Sequence, residues 1–308
     1  MKVALLAADS KIPNLALMKL SAWHKAQGDS VEIYSPISSL LSKPDICYAS
    51  KVFSFSPDPE YLPDCEIVYG GTGHDLKVEL PPEIEAMCPD YEIFNCNYAL
   101  GFTTRGCIRK CPFCIVPEKE GKIRAVSDIY AFWRGQKEIK LLDNNILTLP
   151  DHFFKICGQI KKEGIKVDFN QGLDIRLLTE SMVKTLKELR HDDYRFAFDF
   201  PEMEDIIREK VALLEHYGIH RSMFYVLVGF NTTIEQDIHR LNVLRELGQN
   251  AYVMRYKREK IYIPLANWAN QPRVFHAMDF ESFLNHPEKR HYKKYFPEVR
   301  PHAAADTS

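Results

Sequence analysis

Cys107, Cys111 and Cys114 stand at CxxxCxxC spacing, with the aromatic Phe113 directly before the third thiol. Thiolates are soft ligands that suit iron or zinc. Three of them can hold three corners of a [4Fe–4S] cluster and leave the fourth iron open for another ligand. An all-cysteine set of four is the usual electron-transfer arrangement, and tetrahedral zinc also takes four protein ligands. A compact loop of three thiols with no evident fourth partner therefore points to chemistry at iron. A structural cluster or a zinc module without enzymatic activity is the alternative.

The elements that must carry this loop follow from hydrophobic patterning. Of 308 residues, 45% are hydrophobic and 27% charged, which is ordinary for a water-soluble globular chain. The formal net charge of -2 gives no global pull toward nucleic acid or acidic lipid. No apolar run approaches a membrane span, and the first residues read as a strand and not a signal peptide. Cytoplasmic residence and reduced thiols are the expectation. The other five cysteines, Cys47, Cys65, Cys88, Cys96 and Cys157, are scattered through apolar segments and read as small buried hydrophobes.

Residues 1–90 read as a small flavodoxin-like or Rossmann-like α/β domain. Val3–Ala8, Val31–Tyr34, Ile46–Phe53 and Glu66–Tyr69 are strand candidates. A helix is expected from Asn14 to Gln27, with Leu15, Met18 and Ala22 on one face and Gly28 as its stop. The run Gly70-Gly71-Thr72-Gly73-His74-Asp75 follows the last strand. It reads either as a ligand-approaching loop or as a tight connection, and it lacks the GxGxxG pattern. Pro81-Pro82 and Cys88-Pro89-Asp90 mark a linker.

From Tyr91 the alternation lengthens. Strand candidates are Asn97–Thr103, Ile139–Leu142, Lys166–Phe169, Tyr194–Phe198, Met223–Val228 and Ala251–Arg255, with helical patterns between them. Thr232-Thr-Ile-Glu235 reads as a capping box. Six β-α repeats with right-handed crossovers predict a partial (β/α)6 barrel over residues 91–270. Residues 271–308 form a basic and aromatic extension. There Lys289, Arg290, Lys293, Lys294 and Arg300 alternate with Tyr292, Tyr295 and Phe296. The mix suits an RNA backbone with stacking, or a segment folded back over the barrel. From Ala303 onward the composition reads as disordered.

The segment Tyr98–Pro117, with its three cysteines, Phe113 and its place after the first barrel strand, resembles the cluster loop of the radical S-adenosylmethionine (SAM) superfamily. The resemblance covers roughly residues 95–270. It implies that Cys107, Cys111 and Cys114 bind a [4Fe–4S] cluster and that SAM chelates the open iron. A 5′-deoxyadenosyl radical then abstracts a substrate hydrogen. The electron would come from a donor such as flavodoxin or ferredoxin. A glycine- and glutamate-containing motif is usual in the family after the second strand, but here Asp143-Asn144-Asn145 takes its place. The resemblance implies Asn144 near SAM's amino group and Asp143 near substrate; a turn that caps a helix is the alternative. Polar residues bunched at a barrel strand's C-terminal end read as active site. Gln171 and Arg176 then fall to the ribose and the carboxylate of SAM, or Arg176 simply pairs with Asp174. Asp199, inside an apolar run, needs a partner. Val228 and Gly229 resemble the family's adenine-edge motif. Arg255 and Tyr256 end the sixth strand and face substrate or adenine, or pack at the rim. Phe113 completes the cofactor-binding set, with Asp143, Asp199 and Tyr256 as catalytic candidates.

Within the superfamily, cobalamin-dependent enzymes carry a DxHxxG histidine in such an N-terminal domain, and RNA methylthiotransferases carry three further cysteines there. No DxHxxG motif is present, and the position after the first strand, where one of those cysteines belongs, has none, so the domain reads as a cobalamin-type fold kept as scaffold or to cover the barrel mouth. The run Lys11–Asp29 and the stretch Tyr225–Asp237 are similar to radical SAM proteins of gut anaerobes and their phages. Among these the resemblance extends to a base-salvage lyase, and it implies the free 7-deazaguanine base queuine as substrate. The C–N bond would break to release 7-aminomethyl-7-deazaguanine. The alternative is a radical SAM enzyme that modifies tRNA, a methylthiotransferase or methyltransferase.

Overall fold

The computed structural model describes residues 1–9, 12–37 and 43–296. It divides into two compact units, one ending at Asn170 and one beginning at Gln171. It is a mixed α/β structure with several parallel sheets.

The first unit opens with a parallel sheet of β1 (Lys2–Ala7), β2 (Ser30–Ile33), β3 (Ile46–Ser50) and β4 (Glu66–Gly70), in the order β2-β1-β3-β4. The helix Leu15–Ala26 crosses from β1 to β2. Asn14 caps it, accepting from the Leu17 N–H at 3.2 Å, and Gly28 takes φ +85° just beyond its end. Its buried residues are Leu17, Met18, Leu20, Ser21 and His24, so the apolar stripe is rotated from the expected Leu15, Met18 and Ala22. The reason is a second neighbour. The short helix Pro82–Glu85 inserts Ile84 into one core with Val3, Leu5, Leu17 and Leu20. The segment read as a linker is therefore part of this core. Each such side chain contributes about 1.5–3 kcal/mol when taken out of water.

Strand order reverses between β1 and β3, where open α/β sheets hold ligands. Asp9, directly after β1, accepts there from the N–H groups of Val52 (3.1 Å) and Phe53 (2.7 Å). The glycine loop after β4 folds back on the same stretch. The Gly73 N–H donates to the Lys51 carbonyl at 2.8 Å, and a Cβ on Gly71 would lie 2.3 Å from that oxygen. These glycines are required by contact between chain segments, as a tight connection demands.

Next come β5 (Ala99–Gly101), the two-residue hairpin strands β6 (Thr104–Arg105) and β7 (Arg124–Ala125), β8 (Glu138–Leu141) and β9 (Lys166–Phe169). β5, β8 and β9 run parallel and pair in that order. The helix Pro150–Glu163 lies between β8 and β9, buries Phe153, Ile156, Cys157 and Ile160, and stops at Gly164, φ +65°.

In the second unit β10 (Arg190–His191) precedes a parallel sheet of β11 (Arg195–Ala197), β12 (Met223–Val228) and β13 (Asn250–Arg255). The helices Glu180–Lys187, Glu204–His216 and Ile234–Glu246 alternate with these strands. The last has a capping box, one residue later than expected. Thr233 is the cap and Gln236 its reciprocal partner, because the Thr232 hydroxyl is used by Asp237 at 2.7 Å. The six strand candidates thus appear as two parallel sets of three.

Three short helices, Ile263–Ala269, Pro272–Ala277 and Phe280–Asn285, close the second unit around Trp268, Phe275, Phe280 and Phe283. The basic tail turns Tyr292 and Phe296 inward. The Tyr292 hydroxyl accepts from Asn267 at 2.6 Å, and the Phe296 ring stands edge-on to Phe280 at 5.1 Å. Arg300 and the segment from Ala303 lie outside the described residues. No described helix is long and apolar enough to cross a membrane.

Candidate functional site

The cysteine loop is closed at its base by the β6–β7 hairpin, which pairs Thr104 with Ala125 and Arg105 with Arg124. Gly106 enters the loop at φ +84°, and a Cβ there would meet the Lys122 carbonyl oxygen at 2.4 Å. The Cys107 N–H then donates to the Gly121 carbonyl at 3.3 Å. Inside the loop, the Cys114 N–H donates to the Cys111 carbonyl at 3.0 Å, so the second and third thiols share one turn.

Glu120 fastens the far end. One carboxylate oxygen accepts from the Arg105 guanidinium at 3.0 Å. The other accepts from the Gly106 N–H and the Asn144 side-chain amide, both at 2.8 Å. Arg105 also lies over the Phe102 ring at 3.4 Å and pairs with Glu85 at 3.1 Å. Glu85 in turn pairs with Lys19 of the first helix at 2.9 Å. Lys119 donates to the carbonyls of Leu76 (2.6 Å) and Val78 (2.7 Å). The N-terminal sheet region and the cysteine loop are therefore tied together by charge-assisted bonds, which are shorter and stronger than neutral ones.

Asp143 is buried at the end of β8, beside the end of β5. It accepts from the Thr103 N–H (3.2 Å), from the Thr103 and Thr104 hydroxyls (2.8 and 2.5 Å) and from the Thr104 N–H. Burial pushes its carboxyl above the ordinary range against these bonds. Asn144 serves Glu120. The Asn145 amide donates to the Cys107 sulfur at 3.5 Å, and the Arg109 N–H donates to the same atom at 3.3 Å. Hydrogen bonds to ligand sulfur are one lever by which a protein tunes an iron–sulfur cluster.

Three thiols on one loop, two of them half-buried and Cys114 exposed, suit a cluster in donor type and accessibility. Phe113 is half-buried among them. Among the described residues no three Cys, His, Asp or Glu side chains already stand as a metal-holding group, so the fit rests on donor chemistry and sulfur hydrogen bonding. Burial pushes the Cys47 thiol up to about 11 and raises Cys157, Cys88 and Cys65 as well, which disfavours the thiolate.

The second unit places the other expected residues. Gln171 is exposed. Arg176 forms a bidentate pair with Asp174, at 2.6 and 3.1 Å. The Asp199 carboxylate accepts from the Leu227 N–H at 3.1 Å; burial raises it, while that bond, Arg240 and Arg176 pull it down. Val228 is fully buried. The Gly229 N–H donates to Asp237 at 2.9 Å, and a Cβ there would strike the Tyr262 ring at 2.7 Å, which accounts for this glycine within the chain itself. Arg255 and Tyr256 are exposed, and Tyr256 stands edge-on to Phe230 at 4.7 Å.

Sequence reasoning missed Glu120 and the Asp237–Arg240 pair. Both members of that pair are fully buried, 2.6 Å apart. Arg240 also donates to the carbonyls of Phe198 and Leu227 (2.8 Å), joining the ends of β11 and β12. The i, i+3 spacing of the pair was available as a signal. Glu120 sits in a charged run with no periodicity, and only the closed loop shows its use.

No protein-family model matches the chain. The tRNA-2-methylthio-N(6)-dimethylallyladenosine synthase of Flavobacterium psychrophilum is 25% identical to it over 180 residues. The match covers 56% of this chain, and the chain spans 28% of the length of that relative.

Proposed function

We propose that this protein is a radical SAM enzyme that acts on a purine-type base. The observation that carries the reading is the cysteine loop. Cys107, Cys111 and Cys114 follow a parallel strand on a loop fastened by Glu120, Asn144 and Asp143. Similarity to a methylthio synthase supports it, because methylthiotransferases belong to the radical SAM superfamily that the cysteine loop resembles.

When bound, the cluster and SAM supply a 5′-deoxyadenosyl radical that takes a hydrogen from substrate. The chain's own part is to hold and orient. The three thiols are the cluster ligands, and Asn145 and the Arg109 N–H hydrogen-bond the Cys107 sulfur. Phe113 stands between Cys111 and Cys114 in the loop that would hold the cluster, and Asn144, Gln171, Arg176, Val228, Gly229 and Arg255 would form the cofactor-binding set. Asp143 fixes the loop's entry through Thr103 and Thr104. The two parallel sets of three strands belong, on this reading, to one partial (β/α)6 barrel spanning 91–270, with 1–90 as scaffold and 271–308 as extension. A flavodoxin or ferredoxin supplies the electron.

The comparison favours a tRNA base as substrate. A second reading, queuine lyase, is favoured by the tail. Two of its described aromatic residues, Tyr292 and Phe296, are engaged internally and not offered for stacking on RNA. Anaerobic reconstitution tests the shared core. It should give about four irons and four sulfides per chain and form 5′-deoxyadenosine from SAM with dithionite, and Cys111→Ala should abolish both. Zinc content with no SAM turnover would reject the reading. The two substrates then separate. tRNA binding that weakens steeply with salt supports the first, and release of 7-aminomethyl-7-deazaguanine from queuine supports the second.

A further inference from the structure

The three-stranded sheet β11–β12–β13 has two unlike faces. Phe224, Val226, Val228, Ala251 and Val253 are buried on one. On the other, alternation along β13 presents Tyr252, Met254 and Tyr256, and these large side chains remain 46%, 38% and 51% exposed. Scattered exposed hydrophobes need no explanation; three in succession on one face of a strand form a contiguous patch.

Register adds two neighbours. Tyr225 pairs directly with Tyr252, and the rings stand edge to face, centroids 6.0 Å apart. Ala197 of β11 is in the same row, opposite Tyr225. Asp199 lies two residues further along, past the buried Phe198, and its carboxylate reaches the Leu227 N–H in the next row, where Leu227 pairs with Met254. A carboxylate acceptor and a set of π faces thus share one side of one sheet. Aromatic faces stack planar rings edge-on or offset, whatever their sequence context, and a carboxylate accepts N–H donors that such a ring carries on its edge.

We infer that the Tyr225–Tyr252–Met254–Tyr256 face of this sheet is the platform on which the purine-type base is stacked, with Asp199 accepting from the base edge. This rests on the base-directed reading above and deepens it, assigning specificity to Tyr252 and Tyr225 in addition to Asp199 and Tyr256. The shared chemistry is a planar purine-like ring, whether carried by a tRNA or free.

Binding of 7-deazaguanine and of unmodified tRNA to the whole chain, without cluster or SAM, is measured by equilibrium dialysis or filter retention. Tyr252→Ala should weaken base binding about 10-fold or more, Tyr252→Phe should restore it, and Asp199→Asn should weaken it about 10-fold. Tyr61→Ala, at a more exposed tyrosine elsewhere, should leave it unchanged. Far-ultraviolet circular dichroism reports that each variant folds. Loss with free base identifies a salvage-type ligand, and loss seen only with tRNA identifies a carried base; either supports the platform. Wild-type-like binding by both Tyr252→Ala and Asp199→Asn, or no binding of either probe by the wild type, overturns it. SAM cleavage is scored separately, so a failure there sinks the radical reading and leaves the platform to stand or fall by binding.

Discussion

The side-chain amide of Asn144 donates to Glu120 at 2.8 Å, joining the turn after β8 to the far end of the cysteine loop. Glu120 also holds Arg105 and the Gly106 N–H, so one carboxylate gathers both ends of the loop and its neighbour strand. Glu120→Ala removes three bonds to a charged acceptor, worth about 1–3 kcal/mol in local stability after solvent screening. The expected result is reduced iron retention after gel filtration of reconstituted protein, with little change in global unfolding. Glu120→Gln, which keeps one acceptor oxygen, should lie between. Iron content equal to wild type in Glu120→Ala would remove the role assigned to this residue.

Asp143 accepts only from donors, and every one belongs to Thr103 or Thr104. Asp143→Asn places an NH2 group among N–H and O–H donors and should cost about 1–3 kcal/mol, read as a lowered urea midpoint. Wild-type stability combined with lost SAM turnover would instead assign Asp143 to substrate.

His152 lies near this carboxylate. Burial holds its imidazole below the ordinary range, outweighing the pull of Asp143 in the opposite direction. The folded state thus prefers the neutral ring. As pH falls through about 6.5 the unfolded chain binds the proton first. The stability this histidine gives is therefore present above that value and lost below it. Urea midpoints at several pH values between about 7.5 and 5.5 should fall with pH in the wild type and fall less in His152→Gln. An unchanged slope in the variant would refute the assignment.

Thiol exposure makes a chemical prediction. After reduction, alkylation of metal-free protein near pH 8 should modify Cys114 first, with Cys107 and Cys111 ahead of Cys47 and Cys157, as read by peptide mass spectrometry. Burial raises the latter two thiols and denies reagent access. Reconstitution with iron and sulfide should then protect Cys107, Cys111 and Cys114 together. Continued labelling of all three after reconstitution would exclude them as ligands.

The periodic strands were legible because each is a short, mostly buried run rich in apolar residues. Lys166–Phe169 and Met223–Val228 coincide with β9 and β12. The cysteine spacing was legible because it is local in the chain, three thiols within eight residues. What escaped was set by tertiary contacts. The helix Leu15–Ala26 buries Leu17 and Leu20 because Ile84, sixty-odd positions later, packs on that side. The capping box shifted to Thr233 because Thr232 was recruited by a buried acid. The pairing of Arg176 with Asp174 was open to the sequence as an alternative because the two stand two residues apart, whereas the partners of Asp143, Thr103 and Thr104, lie some forty positions away and become visible only in the fold.

The fully buried Asp237–Arg240 pair shows most directly how such a contact organises the second unit. Two charges out of water are tolerated here because each has several hydrogen-bond partners, although the Arg240 Nε is buried without one. Asp237 also accepts from Gly229 and Thr232, and Arg240 also donates to the ends of β11 and β12. Removing one partner leaves the other buried and uncompensated, so Arg240→Ala should destabilise by about 3–5 kcal/mol. Arg240→Met with Asp237→Asn, which removes both charges and keeps volume, should recover much of that loss. Denaturant titration of the two variants checks the order. Because Gly229 and Leu227 flank the sheet face carrying Met254 and Tyr256, Arg240→Ala should also disturb base binding at temperatures where the chain is still folded. An Arg240→Ala variant as stable as wild type would show that the pair does not hold the strand ends.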